Sequence, residues 1–273
     1  MYTIACVNQK GGVGKTATTA NAAAALSERG RRVLVVDLDP QGHLTSALRL
    51  AEAPDDDDAA TLARAMTGAW RGDAAELVTA YQHAPGPGAV DVIPNSYDMF
   101  TVGRDLDRLR AREQRLDRVL AGLAGDYHVC LIDCPPALDI LTDNALVAAD
   151  GVLVPVEAED STVKALRLLL AQIAAIETDL RETRIALDGM VVSRLRYVGR
   201  SIPAIASSTL AELRTIGIPI VATVPLGVAV TEAWRLGRPV IDYAPGSDQA
   251  AAYRAVAAHI DSRLETAGAE AAG

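Results

Sequence analysis

The sequence predicts an α/β fold, a doubly wound and mainly parallel β-sheet flanked by helices. Short apolar runs rich in Val and Ile recur without polar alternation, as strands covered on both faces do. Longer segments with helical spacing fall between them. A glycine-rich loop stands between the first apolar run and the first helical segment, the context of a phosphate-binding loop.

The elements follow in order. The runs "TIACVN" (3–8), "RVLVVD" (32–37), "VDVIP" (90–94), "HVCLID" (128–133), "GVLVPV" (151–156), "LDGMVVS" (187–193) and "IPIVATV" (218–224) read as strands. The Ala-rich stretch after Lys15 reads as a helix to Arg29, closed by Gly30 as C-cap. Leu106, Leu109, Leu116, Leu120 and Leu123 keep helical spacing over 104–123, and Val163 to Ile176 do the same over 161–176. A last helix over about 247–264 carries Tyr253, Val256, Ile260 and Leu264 on one stripe. With right-handed crossovers these elements make one domain over 1–273. Residues 51–88, with "APDDDDAA" and "HAPGPGA", read as a variable, flexible insertion, and the Asp55–Asp58 run as a solvated loop. Residues 267–273 read as a disordered tail.

Composition narrows the function classes. Half of the 273 residues are hydrophobic and only 4% aromatic, so Ala, Val, Leu and Ile must fill a sizeable core. A net charge of -9 argues against a protein that coats nucleic acid over its whole surface, though not against a local basic patch. Cys6, Cys130 and Cys134 lack the spacing and companions of a zinc site and read as reduced, structural thiols of a cytosolic protein. "MYTIACVNQK" lacks the pattern of a signal peptide, and no apolar run reaches 18 residues.

The chemistry concentrates in "KGGVGKT". Gly11, Gly12 and Gly14 let the backbone curl with its N–H groups inward, and the helix N-terminus adds partial positive charge. Lys15 reaches the β- and γ-phosphates, and the Thr16 hydroxyl can ligate Mg²⁺. Asp133 ends an apolar strand, where Mg²⁺ or its water shell is held. Asp37 and Asp39 end another strand. Two carboxylates so close cannot both be core residues; one suits the metal's surroundings and the other a water. Lys10 is a second lysine in a chain with only three (Lys10, Lys15, Lys164), where arginine serves everywhere else. A cation there stabilises charge on a γ-phosphate.

The loop departs from G-x-x-x-x-G-K-[ST], because Gln9 stands where the first glycine would be and Lys10 follows. In this form it resembles the deviant Walker A loop of the ParA/MinD superfamily of P-loop ATPases, most closely the ParA/Soj branch that partitions plasmids and chromosomes. "VLVVDLDPQGHLTSAL" (33–48) is similar to that family's D-x-D-P-Q-G motif, and "VCLIDCPPALDILTDNAL" (129–146) to its Walker B segment. "REQRLDRVL" (112–120) and "GVLVPVEAE" (151–159) also have counterparts. The resemblance implies an ATP site of Lys10, Gly11, Gly12, Val13, Gly14, Lys15, Thr16, Ala17 and Pro225, with Lys10, Lys15 and Asp39 catalytic. It implies Thr16, Asp37, Asp39 and Asp133 about Mg²⁺, with Asp39 assigned to the attacking water. It implies that Lys10 reaches a partner's nucleotide in an ATP-sandwich homodimer.

Partners divide the superfamily. The chain ends "AHIDSRLETAGAEAAG", without the Lys and Phe of a membrane-binding helix, so membrane binding is not expected. No second cysteine joins Cys134 as a cluster ligand, and the chain starts at the first strand, so no operator-reading helix-turn-helix is expected. Between 189 and 241 six arginines face two acids, which suits non-specific double-stranded DNA; Arg194, Arg196, Arg200, Arg235 and Arg238 are the candidates. Leu226 and Ala229 stand where Soj-like proteins carry arginines. The helix over 104–123 reads as a solvated or partner surface. The expectation is a cytoplasmic, nucleoid-associated ATPase stimulated by a ParB-like centromere-binding protein. The alternatives are a ParA-like ATPase that positions a protein cargo, and a superfamily ATPase that does not bind DNA.

Overall fold

Every expected strand forms, and the strands join one sheet. The computed structural model describes residues 1–51, 58–199 and 201–272, with side chains described to residue 266. The strands are β1 (Tyr2–Cys6), β2 (Arg32–Asp37), β3 (Thr79–Ala80), β4 (Ala89–Ile93), β5 (Val129–Asp133), β6 (Gly151–Val156), β7 (Ala186–Leu195) and β8 (Ile220–Pro225). Their order is β3-β4-β2-β5-β1-β6-β7-β8, and only β3 on β4 is antiparallel. β3 has two residues, too few to leave a periodic signal in the sequence.

The absence of polar alternation has its cause in two cores, one on each face. Leu34, Val36, Cys130 and Ile132 point to one side; Val33, Val35, Val129 and Leu131 point to the other. The first face is covered by α3 (Leu62–Thr67), α4 (Met99–Leu106), α5 (Arg115–Ala121), α6 (Ile140–Ala148), α7 (Ser161–Asp179) and α8 (Ala204–Arg214). The second is covered by α1 (Lys15–Glu28), α2 (His43–Ala47), α9 (Ala229–Arg235), α10 (Val240–Tyr243) and α11 (Asp248–Ala272). Ala20 and Ala22 to Ala25 of α1 are buried, so small side chains bring this helix close to the sheet. Cys6, Cys130 and Cys134 are buried and free, and burial pushes the Cys6 thiol up to about 12.

The helix expected over 104–123 is broken. α4 ends at Leu106, Ala111 takes a left-handed φ of 48°, and α5 starts at Arg115. The break is stabilised by Asn144 of α6, which is fully buried. Its Oδ1 accepts from the backbone N–H of Arg115 and Leu116, both at 3.0 Å, and its Nδ2 donates to the Arg112 carbonyl at 2.9 Å. Those partners satisfy helix-end groups that a continuous helix would otherwise have satisfied internally. Within 51–88, Leu62, Met66, Leu77 and Tyr81 enter the cores, and Asp55 to Asp57 lie outside the described residues. The backbone of α11 continues to Ala272, through six of the seven residues of the expected tail.

Candidate nucleotide site

Strand order decides where the site lies. β1 sits between β5 and β6, so chain connections leave in opposite directions at its C-terminal end, where α/β sheets bind ligands. The loop after β1 is pinned from below by Asn8, whose Nδ2 donates to the Pro155 carbonyl at 2.7 Å and whose Oδ1 accepts from the Lys10 N–H at 3.0 Å. Gly12 and Gly14 hold φ of 79° and 86°, values that favour glycine. Gly11 has no such requirement, and a Cβ there would meet only Pro136 at 4.0 Å, so two of the three glycines curl the loop.

α1 opens at Gly14 with no side-chain cap and no acidic residue in its first turn. Its first N–H groups are therefore left for an anion. Val13 is buried; Lys15 is only 7% exposed, and its Nζ donates to the Lys10 carbonyl at 3.4 Å, folded back across the loop. Thr16 is half-buried beside it.

The carboxylates meet as the register dictates. Asp37 and Asp133 are Cα partners on adjacent parallel strands, and both are fully buried. Asp37 Oδ2 accepts from the Thr45 N–H at 2.8 Å and its hydroxyl at 2.6 Å. Asp37 Oδ1 and both oxygens of Asp133 are buried with no hydrogen-bond partner. Burial pushes the Asp37 carboxyl up to about 6, with Asp39 adding to the rise against the Thr45 bonds. Burial drives Asp133 well above the carboxylate range and Asp37 adds to it, while Thr16 and Lys15 oppose the shift. Asp39, 6% exposed, accepts the Gln41 N–H on Oδ1 at 3.0 Å.

Orphaned, buried carboxylate oxygens next to a phosphate loop fit a divalent cation. Among the described residues no three His, Cys, Asp or Glu side chains form a metal cage. That is the expected chemistry for Mg²⁺, which keeps waters and phosphate oxygens and takes few protein ligands.

The two lysines part company. Lys10 Nζ makes an ion pair with Glu159, lies 3.8 Å from Glu157, and donates to Ser161 Oγ at 3.5 Å. It turns toward the loop after β6, away from Lys15. The Lys10 ammonium holds the Glu159 carboxyl below its usual range, whereas burial pushes Glu157 up despite Arg194 and Lys10. A cavity of about 410 Å³ lies beside the loop, lined by Gly14, Ala17, Pro225, Trp234 and Tyr253. It brings Ala17 and Pro225 together.

Among the described residues, the expected DNA arginines stand in different surroundings. Arg194 donates to the Gly12 carbonyl at 3.4 Å and pairs with Glu157 at 3.4 Å, so it belongs to the loop's surroundings. Arg238 Nε pairs with Asp242 at 2.6 Å. Arg196 and Arg235 are exposed, and Arg200 lies outside the described residues. Arg49 joins this region by donating to the Arg235 carbonyl. Sequence reading missed it, as it missed Asn8, Thr45, Asn95 and Trp234. Thr45 stands three residues after the D-x-D-P-Q-G motif and Asn95 two residues after the end of β4.

A family model described as an AAA domain matches residues 1–186. The chain is 36% identical to the chromosome-partitioning ATPase Soj of Thermus thermophilus, over 97% of each chain. It is 34% identical to the chromosome partitioning protein ParA of Caulobacter vibrioides, over 98% of this chain and 97% of that one. Among solved structures, cobyrinic acid a,c-diamide synthase of Mycobacterium smegmatis with bound ADP and magnesium matches with a TM-score of 0.76 at 30% identity, covering 94% of this chain and 93% of that one.

Proposed function

This chain belongs to the ParA/MinD-type family of ATPases, using ATP with Mg²⁺, and from that premise we propose that it is a partition switch. In this reading the whole chain is one cytoplasmic, nucleoid-associated ATPase domain. ATP joins two copies into a sandwich dimer, the dimer holds double-stranded DNA non-specifically, and a ParB-like centromere-binding partner stimulates hydrolysis and releases it. Plasmid or chromosome segregation is the outcome. Among the described residues no helix is long and apolar enough to cross a membrane.

Each side chain has a role in this reading. The uncapped N–H groups of α1 and the Lys15 ammonium hold the β- and γ-phosphates. Ala17, Trp234 and Pro225 line the place for the base and sugar. Thr16, Asp37 and Asp133 would hold Mg²⁺, with Asp39 in its surroundings. When bound, the ion neutralises charge on the phosphate oxygens. Asp39 orients the attacking water. The observation that carries the dimer is the direction of Lys10. Its ammonium is held away from Lys15 by Glu157 and Glu159 of its own chain, and in this reading a second subunit's nucleotide takes their place.

The test is sizing of Asp39→Ala in ATP, with duplex DNA retardation in ATP and in ADP. An ATP-trapped dimer that retards arbitrary duplex supports the reading; a monomer in ATP, or equal retardation in ATP and ADP, removes the switch. Turnover should rise with DNA plus the ParB-like partner. One observation favours a second reading. Leu226 and Val228 are 45% and 71% exposed in the segment where Soj-like proteins carry arginines. An apolar surface there suits a protein cargo positioned on the nucleoid. Retention of a protein assembly, with weak duplex binding, separates that reading from the first.

A further inference from the structure

The register of the sheet sets Asn95 beside the two carboxylates. β2 pairs with β4 through Val36 and Ile93, so the chain leaving β4 passes the end of β2. Asn95 is 5% exposed there. Its side-chain Nδ2 donates to the Asp39 carbonyl at 2.7 Å, an oxygen that also accepts the Gly42 N–H at 2.9 Å. Its backbone N–H donates to Thr45 Oγ1 at 2.8 Å. The Thr45 hydroxyl therefore has its acceptor role filled, and its proton is committed to Asp37 Oδ2 at 2.6 Å. Gly42 closes the turn with φ of 61°, and a Cβ there would stand 3.3 Å from Asn95 Oδ1. The turn that carries Asp39 is thus packed and bonded against one side chain from another strand.

We propose that Asn95 is a positioning residue for ATP hydrolysis, acting through Asp39. The inference rests on the assignment of Asp39 to the attacking water. Phosphoryl transfer depends on positioning, and small displacements of a water-orienting carboxylate are costly. The Asn side chain supplies a buried second donor for the Asp39 carbonyl, whereas the backbone N–H on Thr45 is one that any residue but proline offers. The Asp39 carbonyl is not one of the phosphate-loop groups, so ATP affinity is expected to be retained.

The experiment measures single-turnover hydrolysis and Mg²⁺-ATP binding for Asn95→Asp, which keeps the shape and replaces the donor, and for Asn95→Ala, which removes only the side-chain bond. Each is also combined with Asp39→Ala. The expected result is a fall in the hydrolysis rate of about 10- to 100-fold with ATP affinity within about 3-fold of the wild type. No further fall is expected in the Asp39→Ala background, because residues acting through one group are not additive. If Asn95→Asp does not fold, Asn95→Ala carries the test. Wild-type turnover in the Asn95 variants beside an inactive Asp39→Ala overturns the inference alone. Loss of ATP affinity matching the loss of rate also overturns it, in favour of a merely structural Asn. Full turnover in Asp39→Ala overturns the assignment on which it rests.

Discussion

Replacing Asp133 by Asn should stabilise the nucleotide-free protein while it abolishes activity. Asp133 and Asp37 are Cα partners, fully buried, and both oxygens of Asp133 lack a hydrogen bond. Adjacent strands lie about 5 Å apart. Two carboxylate charges at that separation repel by about 3 kcal/mol at an effective dielectric near 20. The Lys15 ammonium offsets part of this, leaving about 2 kcal/mol. A chain of this length unfolds with an entropy of about 0.6 kcal/mol/K, so the melting temperature should rise by about 3–4 °C. The pH dependence follows from the direction of the shifts. Burial raises the folded-state values of both carboxyls, Asp37 to about 6. From the ordinary carboxylate range up to those values the folded state binds more protons than the unfolded one, so stability falls as pH rises. The penalty is absent below about pH 4 and fully developed only above the raised values. Thermal unfolding in EDTA should therefore show a larger gain of Asp133→Asn at pH 8 than at pH 4. Adding ATP and Mg²⁺ should stabilise the wild type and not the variant. A variant that melts below the wild type at pH 8, or a gain equal at both pH values, would refute the reasoning.

The other expectations are simpler. Lys15→Ala should abolish nucleotide binding, seen as loss of the melting shift with Mg²⁺-ATP, because no other lysine reaches that side of the loop. Gly14→Ala should cost about 1–2 kcal/mol for its left-handed φ and press on Ser193 Oγ, 3.1 Å from the added Cβ; calorimetry should show a lower melting temperature. Asp261→Ala should lower stability by about 2 kcal/mol, because the Asp261 carboxylate ties α11 to Arg29 at 2.7 Å and Arg31 at 2.5 Å. Burial of Asp261 opposes its charge, yet Arg31 and Arg29 outweigh it and hold the carboxyl below the usual range. That contribution is present above the ordinary carboxylate value and is lost as pH falls through the lowered one, so the two proteins should converge in acid urea titrations. Arg196→Ala with Arg235→Ala should weaken duplex retardation across all sequences and flatten its salt dependence, whereas Arg238→Ala, its guanidinium already on Asp242, should do less.

The residues of the phosphate loop, its flanking strand and helix, and the strand-end carboxylates Asp37 and Asp133 were legible because each depends on local chain. A strand covered on both faces needs an unbroken Val and Ile run, and a loop that cradles phosphate needs glycine at Gly12 and Gly14. The break at Ala111 was not legible, because its cause is Asn144, a side chain from a different helix. Arg194 and Arg238 read as free charges in sequence, and only the structure pairs them with Glu157 and Asp242. Thr45 and Asn95 were hidden for the same reason. The sequence by itself determined which chemistry this chain carries, since phosphate cradles and buried strands are written in consecutive residues. The tertiary structure alone decided the strand order, which sets β4 beside β2 and so Asn95 against Asp39, and it decided the direction of Lys10. Both depend on contacts between segments far apart in the chain, and such contacts follow from packing, which no local pattern encodes.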